Sequence, residues 1–144
     1  MKKRWLYAIL CLFWMFIIFG MSNAQGEESK GMSDAIVLLM SKYLPFVEYN
    51  DTWTFLVRKA AHFSEYAILG ILYYMLLTTY REIQGKELLL LILGVFLYAC
   101  TDEFHQLFMD GRAGQFKDVL IDTAGGSTGI LLWHVIRDGF RQHT

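Results

Sequence analysis

The chain has 144 residues, 55% of them hydrophobic and 16% aromatic, with one proline and a formal charge of −1. Neither a net positive charge nor a basic patch offers a surface for nucleic acid. The two cysteines, Cys11 and Cys100, sit inside apolar stretches and read as reduced thiols rather than a disulfide framework.

Apolar residues fall into four long blocks separated by short polar stretches, the distribution expected of membrane-spanning helices. The first runs from about Trp5 to Met21, behind the basic start Met1-Lys2-Lys3-Arg4. A signal peptide cleaved after Ser22-Asn23-Ala24 would have a similar outline. The apolar run is longer than a usual signal core and three further spans follow it, so a retained helix is expected. Next come about thirty residues, Ser22 to Asp51, that start polar and become amphipathic. Ser33-Asp34 reads as a helix start, with Ile36, Val37, Leu39, Met40 and Tyr43 at near-helical spacing and Pro45 as a stop. The segment is too short to span and is expected to lie on the outer leaflet as an interfacial helix.

The remaining blocks cover about 60–80, 88–108 and 118–136. Their Leu, Ile, Phe and Tyr content favours helices over barrel strands. The expected fold is therefore all-α, a four-helix transmembrane bundle with one short interfacial helix between the first and second spans, in a single domain over 1–144. Lys2, Lys3 and Arg4 favour a cytoplasmic N-terminus. Counting spans from there puts Arg81, Lys86, Arg137 and Arg141 on the same side, which collects seven of the thirteen basic residues. Both termini are then cytoplasmic in a multi-pass protein of the cell membrane.

Ionisable side chains within the spans cost a few kcal/mol on insertion scales, roughly 2.5–3.5 each at the centre, and so call for a partner or a function. On the second span Arg58, His62, Glu65 and Leu69 follow one another at spacings of four, three and four, a single helical stripe. On the third, Asp102, His105, Gln106 and Met109 form another, with Glu103 pointing about 100° away. On the fourth, Asp118, Asp122, Gly125 and Gly129 share a face, and the last two make a GxxxG pattern suited to close helix approach. All these groups fall in the half of the bilayer away from the cytoplasm. The loop 109–117 carries Arg112, placed either to fold over the acidic cluster or to mark the interface. Arg58 is expected to pair with Asp102 or Asp118.

Three segments together are distinctive: Arg58-Lys59-Ala60-Ala61-His62-Phe63-Ser64-Glu65-Tyr66-Ala67, then Thr101-Asp102-Glu103-Phe104-His105-Gln106-Leu107-Phe108 leading to Gly111-Arg112-Ala113-Gly114, then Asp118-Val119-Leu120-Ile121-Asp122-Thr123-Ala124-Gly125. Over nearly the whole chain the sequence resembles the VanZ-like family of bacterial membrane proteins. Phe19-Gly20-Met21-Ser22-Asn23-Ala24-Gln25 resembles that family's motif after its first helix, and Met109-Asp110 departs from the proline expected before Gly-Arg. The resemblance implies a role associated with resistance to the glycopeptide teicoplanin, a phenotype rather than a reaction.

Two functional classes follow. In one, the protein binds a cell-envelope lipid or lipid-linked precursor at the outer leaflet, with Arg58, Gln106, Arg112, Asp118 and Asp122 as ligand-binding residues. In the other it is a membrane-embedded hydrolase or transferase acting on a lipid head group. There His62 or His105 serves as general base, with Glu65, Asp102 or Glu103 as orienting or acidic partner. A metal-dependent variant would draw ligands from His62, Glu65, Asp102, His105 and Asp122, although no specific metal motif is present. A purely structural reading treats the same residues as interhelical hydrogen-bonding glue. No cofactor is identified by the sequence. The topology has a direct check: in intact cells a Gly114→Cys variant should react with an impermeant thiol reagent and a Gly85→Cys variant should be protected. The opposite pattern would place the polar cluster on the cytoplasmic side.

Overall fold

In the computed structural model the described residues are 2–23, 26–109 and 114–142, and among them the chain is all helical. Five helices follow in order: α1 (Lys2–Ser22), α2 (Gly26–Tyr43), α3 (Asp51–Leu77), α4 (Gly85–Gln106) and α5 (Phe116–Gln142). Four of them, α1, α3, α4 and α5, are long and apolar enough to cross a membrane. Their outward faces carry Trp5, Ile9, Phe13, Phe16, Leu89, Leu97, Phe104, Leu132 and Val135, all exposed, as expected of a surface solvated by lipid rather than water.

The expected architecture holds, with shifted helix boundaries. The second span begins at Asp51 rather than near 60, because Asn50 caps the helix by accepting a hydrogen bond from the Trp53 amide at 3.0 Å. Its first turns are amphipathic and extend beyond the apolar block. The short helix α2 likewise starts at Gly26, seven residues before the expected Ser33. Ser33 is no cap. Its hydroxyl donates to the Ser29 carbonyl one turn back at 3.1 Å. The helix does stop before Pro45, which disfavours helical geometry at Leu44. α2 then returns against α3 through buried Val37 and Val47, through Thr54 Oγ1 donating to Asp34 Oδ1 at 2.5 Å, and through Lys30–Asp51 at 3.0 Å. The Asp51 carboxylate, followed by Asp34, holds the exposed Lys30 ammonium above its ordinary range.

The tightest helix pair is α3 with α5. Seen from α3, a Cβ on Gly70 would strike the Gly126 carbonyl. From α5, Cβ atoms on Gly125 and Gly129 would strike the Phe63 and Ala67 carbonyls, and Gly126 lies under the Val95 side chain of α4. The GxxxG pattern therefore marks a backbone-to-backbone seam. A core of Tyr66, Leu69, Tyr74, Leu91, Val95, Ala99, Val119 and Ile130 fills the space beside it. α1 is an integral part of this bundle. It buries Cys11 and Ile18, its Trp14 indole donates to the Glu65 carbonyl at 2.8 Å, and Tyr98 donates to the Met15 carbonyl at 2.7 Å.

The loop position chosen above for labelling also has a packing role. A Cβ on Gly114 would meet the Glu103 carbonyl and the Leu107 side chain, so the exposed Lys117 is the better site for an outside label. For the seam, Gly125→Ala or Gly129→Ala should each lower bundle stability by about 1–3 kcal/mol, the usual cost of overpacking. Gly31→Ala, which meets nothing within 4 Å, should not. Thermal unfolding of the purified protein in detergent measures all three, and equal midpoints would mean that the seam opens at no cost.

Candidate functional site

The end of the bundle where α3 and α5 begin and α1 and α4 finish collects the polar residues. On α3 the side chains divide between two faces. Lys59 and Tyr66 lie within about 20° of one another, while Arg58 and Glu65 share a second direction roughly 100° away, with His62 between the two. The first face meets α5. Lys59 Nζ pairs with Asp118 Oδ1, and the His62 Nδ1 atom lies 3.6 Å from Asp122 Oδ1. The second face turns toward α2 and lines a cleft of about 130 Å³ formed by Met21, Ser29, Met32, Ser33, Ile36, Val57, Arg58, Ala61, His62 and Glu65.

The ion pair expected of Arg58 is therefore made by its neighbour. Among the described residues Arg58 makes no ion pair, and Lys59 holds Asp118. The reason is phase: one residue turns a helical side chain by about 100°, and the seam faces position 59 rather than 58.

α4 supplies three buried polar side chains. Asp102, Glu103 and Gln106 are 3%, 4% and 4% exposed. Ser22, at the end of α1, and Gln106 lie beside the Asp102 carboxylate, and His62 and Asp122 are within its electrostatic reach. Glu103, a candidate for the cluster although it points about 100° from the Asp102 stripe, is buried there. Its Oε2 accepts a 2.9 Å hydrogen bond from the Gln115 amide, just before α5 begins. α4 packs against α5, α3 and α1, so a broad arc of its surface faces inward and both acids fall within that arc.

His105, a candidate for the same cluster, sits apart from these acids. Its Nε2 lies 3.0 Å from Asn23 Oδ1 and its ring sits 4.5 Å from that of Phe19, so it is docked on the end of α1. It does not join Asp102 and Asp122. The metal ligand set considered from sequence is consequently not assembled: among the described residues no group of three or more His, Cys, Asp or Glu is arranged to hold a metal ion. Arg112 lies outside the described residues.

Several atoms in the cluster lack hydrogen-bond partners among the described residues: both carboxylate oxygens of Asp102 and of Asp122, Glu103 Oε1, Gln106 Nε2, the Ser22 and Tyr66 hydroxyls and His62 Nδ1. Five of these are carboxylate oxygens and four are donor-capable, with Ser22 and Gln106 beside Asp102 and His62 beside Asp122. Buried acceptors of this kind cost roughly 1–3 kcal/mol each unless a donor reaches them. The arrangement suits a species that brings several N–H or O–H groups, and His62 is the one side chain that both faces the open cleft and lies near the buried Asp122.

Lys59, Tyr66, Ser22 and Asn23 join the site beyond the residues expected from sequence. The spacing 59, 62, 66 and 70 was a detectable signal, since it is as helical as the one chosen and ends on a glycine of the seam. Away from the cluster, the buried Tyr74 hydroxyl lies 2.9 Å from His134 Nδ1, and His134 Nε2 lies 3.5 Å from Asp138, which gives that histidine a structural partner at each nitrogen. Lys59→Met should strip the half-buried Asp118 of its cation and lower stability by ~2 kcal/mol, whereas Arg58→Met should change it little. Chemical denaturation in detergent separates them, and equal effects would show that the Lys59–Asp118 pair holds nothing together.

Comparison with known proteins agrees with the motifs and the helical pattern. No curated protein and no solved structure matches the chain. A family model, VanZ/LLP1, matches residues 7–137, nearly the whole chain. Bundle, motifs and match coincide over the same residues, and the chain belongs to the VanZ-like family of membrane proteins.

Proposed function

We propose that this protein binds the head group of a cell-envelope lipid or lipid-linked precursor at the outer leaflet, and that this binding lowers glycopeptide susceptibility. The observation that carries this reading is a set of buried carboxylates, Asp102, Glu103 and Asp122, with five oxygens lacking a hydrogen-bond partner among the described residues, reached from the cleft through His62, which lines it and lies 3.6 Å from Asp122. Sugar hydroxyls, amide N–H groups and ammonium groups are the donors such a set accepts, and envelope precursors are rich in them. Arg58, on the cleft wall, is placed for a phosphate linking head group to lipid. The outward orientation rests on the basic residues at the opposite end.

A catalytic reading has one specific support, the closeness of His62 and Asp122. A carboxylate beside an imidazole nitrogen can orient a general base and stabilise its charged form. In that case the bound head group would be cleaved or transferred, and His62→Gln would block turnover while leaving binding largely intact.

Asp102→Asn, Glu103→Gln and Asp122→Asn preserve shape while replacing acceptors with donors. Each is expected to stay inserted and abundant and to lose at least about tenfold in binding of purified lipid-linked precursor, together with any protection from teicoplanin on expression. Structural glue predicts the reverse coupling, with protein level falling in step with activity. Membrane abundance measured beside binding decides, and variants that are abundant and fully active would remove the cluster as the site. Appearance of a cleaved or transferred product would favour the enzymatic reading.

A further inference from the structure

The opposite end of the bundle holds a second, chemically distinct cleft. It is about 700 Å³ in volume and opens between the start of α1 and the ends of α3 and α5. Lys3 and Arg4 come from α1, Thr78 and Thr79 follow α3, and Trp133 and Arg137 come from α5. Three cations thus converge from two helices far apart in sequence, and among the described residues no carboxylate lines the cleft.

Two acids at this end have other partners. Glu87 lies 3.9 Å from Arg81, and Asp138 lies 3.5 Å from His134. Among the described residues, Lys3, Arg4 and Arg137 enter no ion pair. The Arg4 guanidinium instead lies 5.7 Å from the centre of the Trp5 ring and 5.4 Å from that of Tyr80. Such stacking holds the guanidinium while leaving its N–H groups available. The volume is in the range of small-ligand sites, large enough for a phosphodiester head group and the start of its chains, and Trp133 and Ile136 supply apolar wall.

We infer that this cleft is a binding site for the phosphate of an anionic phospholipid in the leaflet that meets the N-terminus. The charge is complementary, the wall is part apolar, and the cleft lies at the end of spanning helices where lipid phosphates reside. A lipid seated there would contact α1, α3 and α5 together and would tie the first helix to the bundle at the end remote from the carboxylates. This site is independent of the head-group binding proposed above, and either can fail without the other.

The test uses the full-length protein purified in a nonionic detergent. Phosphatidylglycerol and phosphatidylcholine are added in turn, and retained lipid is read by native mass spectrometry. The wild type should hold phosphatidylglycerol at least about tenfold more tightly, and Arg4→Gln/Arg137→Gln should reduce that preference to within about twofold. Lys86→Gln removes a cation after the same end of α3 but outside the cleft and should keep the full preference. If the double variant elutes aggregated, Arg137→Gln alone must reduce the preference about threefold or more and Arg137→Lys must restore most of it. Equal binding of both lipids by the wild type, an unchanged preference in the cleft variants, or an equal loss in Lys86→Gln would overturn the proposal. Displacement of phosphatidylglycerol by equimolar inorganic phosphate would also overturn it, and would identify a site for free anions.

Discussion

The rest of the site depends on the backbone contact between α3 and α5. Gly70, Gly125 and Gly129 bring one helix against the carbonyls of the other, closer than any side chain at those positions would allow. Only at that separation can side chains as short as Asp118 and Asp122 reach Lys59 and His62 across the interface. In lipid there is no hydrophobic force between helices, so packing and polar contacts must hold such a pair together, and here the seam supplies one and the cluster the other. The acids on α4 then meet a surface already shaped by that pair, with Val95 resting on Gly126 and Glu103 tied to the Gln115 amide.

This arrangement concentrates polar and strained demand at one end. Tyr66, Ser22, Gln106 and three carboxylates share a buried volume, and the opposite end has the Arg81–Glu87 pair and an arginine, Arg4, stacked on aromatic rings. Packing alone would not require this asymmetry. A bundle held together only by hydrogen bonds would satisfy its donors and acceptors internally, as Tyr74 and His134 do. The cluster at the α3 start instead buries five carboxylate oxygens and four donor-capable atoms that are not closed into good hydrogen bonds among the described residues. That openness is the feature that separates a receptive site from glue.

Much of this was legible in the sequence. Four spans, the extra helix between the first two, the glycine pattern and the gathering of polar residues at one end all follow from hydropathy and a 100° turn per residue. Phase was less well determined. The choice of the 58–62–65 stripe over 59–62–66 differs by one residue, and periodicity within α3 cannot say which of two adjacent faces meets α5. Which of Glu103 and His105 turns inward was hidden for a related reason: an inward arc is wide when a helix touches three neighbours, and its width depends on contacts that no single segment encodes. Helix boundaries moved because α3 extends beyond its apolar block, through turns whose hydrogen bonds are satisfied by a cap and whose side chains pack on α2. The second cleft was not legible at all. Lys3, Arg4 and Arg137 read separately as topology signals, and only the folded bundle puts them around one volume.

The order of the helices along the chain has a consequence for how the protein is made. The cationic partner Lys59 and the imidazole of His62 sit on α3, and all four acids they face, Asp102, Glu103, Asp118 and Asp122, come later, on α4 and α5. During synthesis the partners are therefore already in place when each acidic segment leaves the translocation machinery. α4 and α5 need not enter lipid alone with bare carboxylates, since each can pass sideways onto a helix that is waiting for it. A circular permutant that released α5 before α3 would have the same contacts available and would lose that sequence of arrivals.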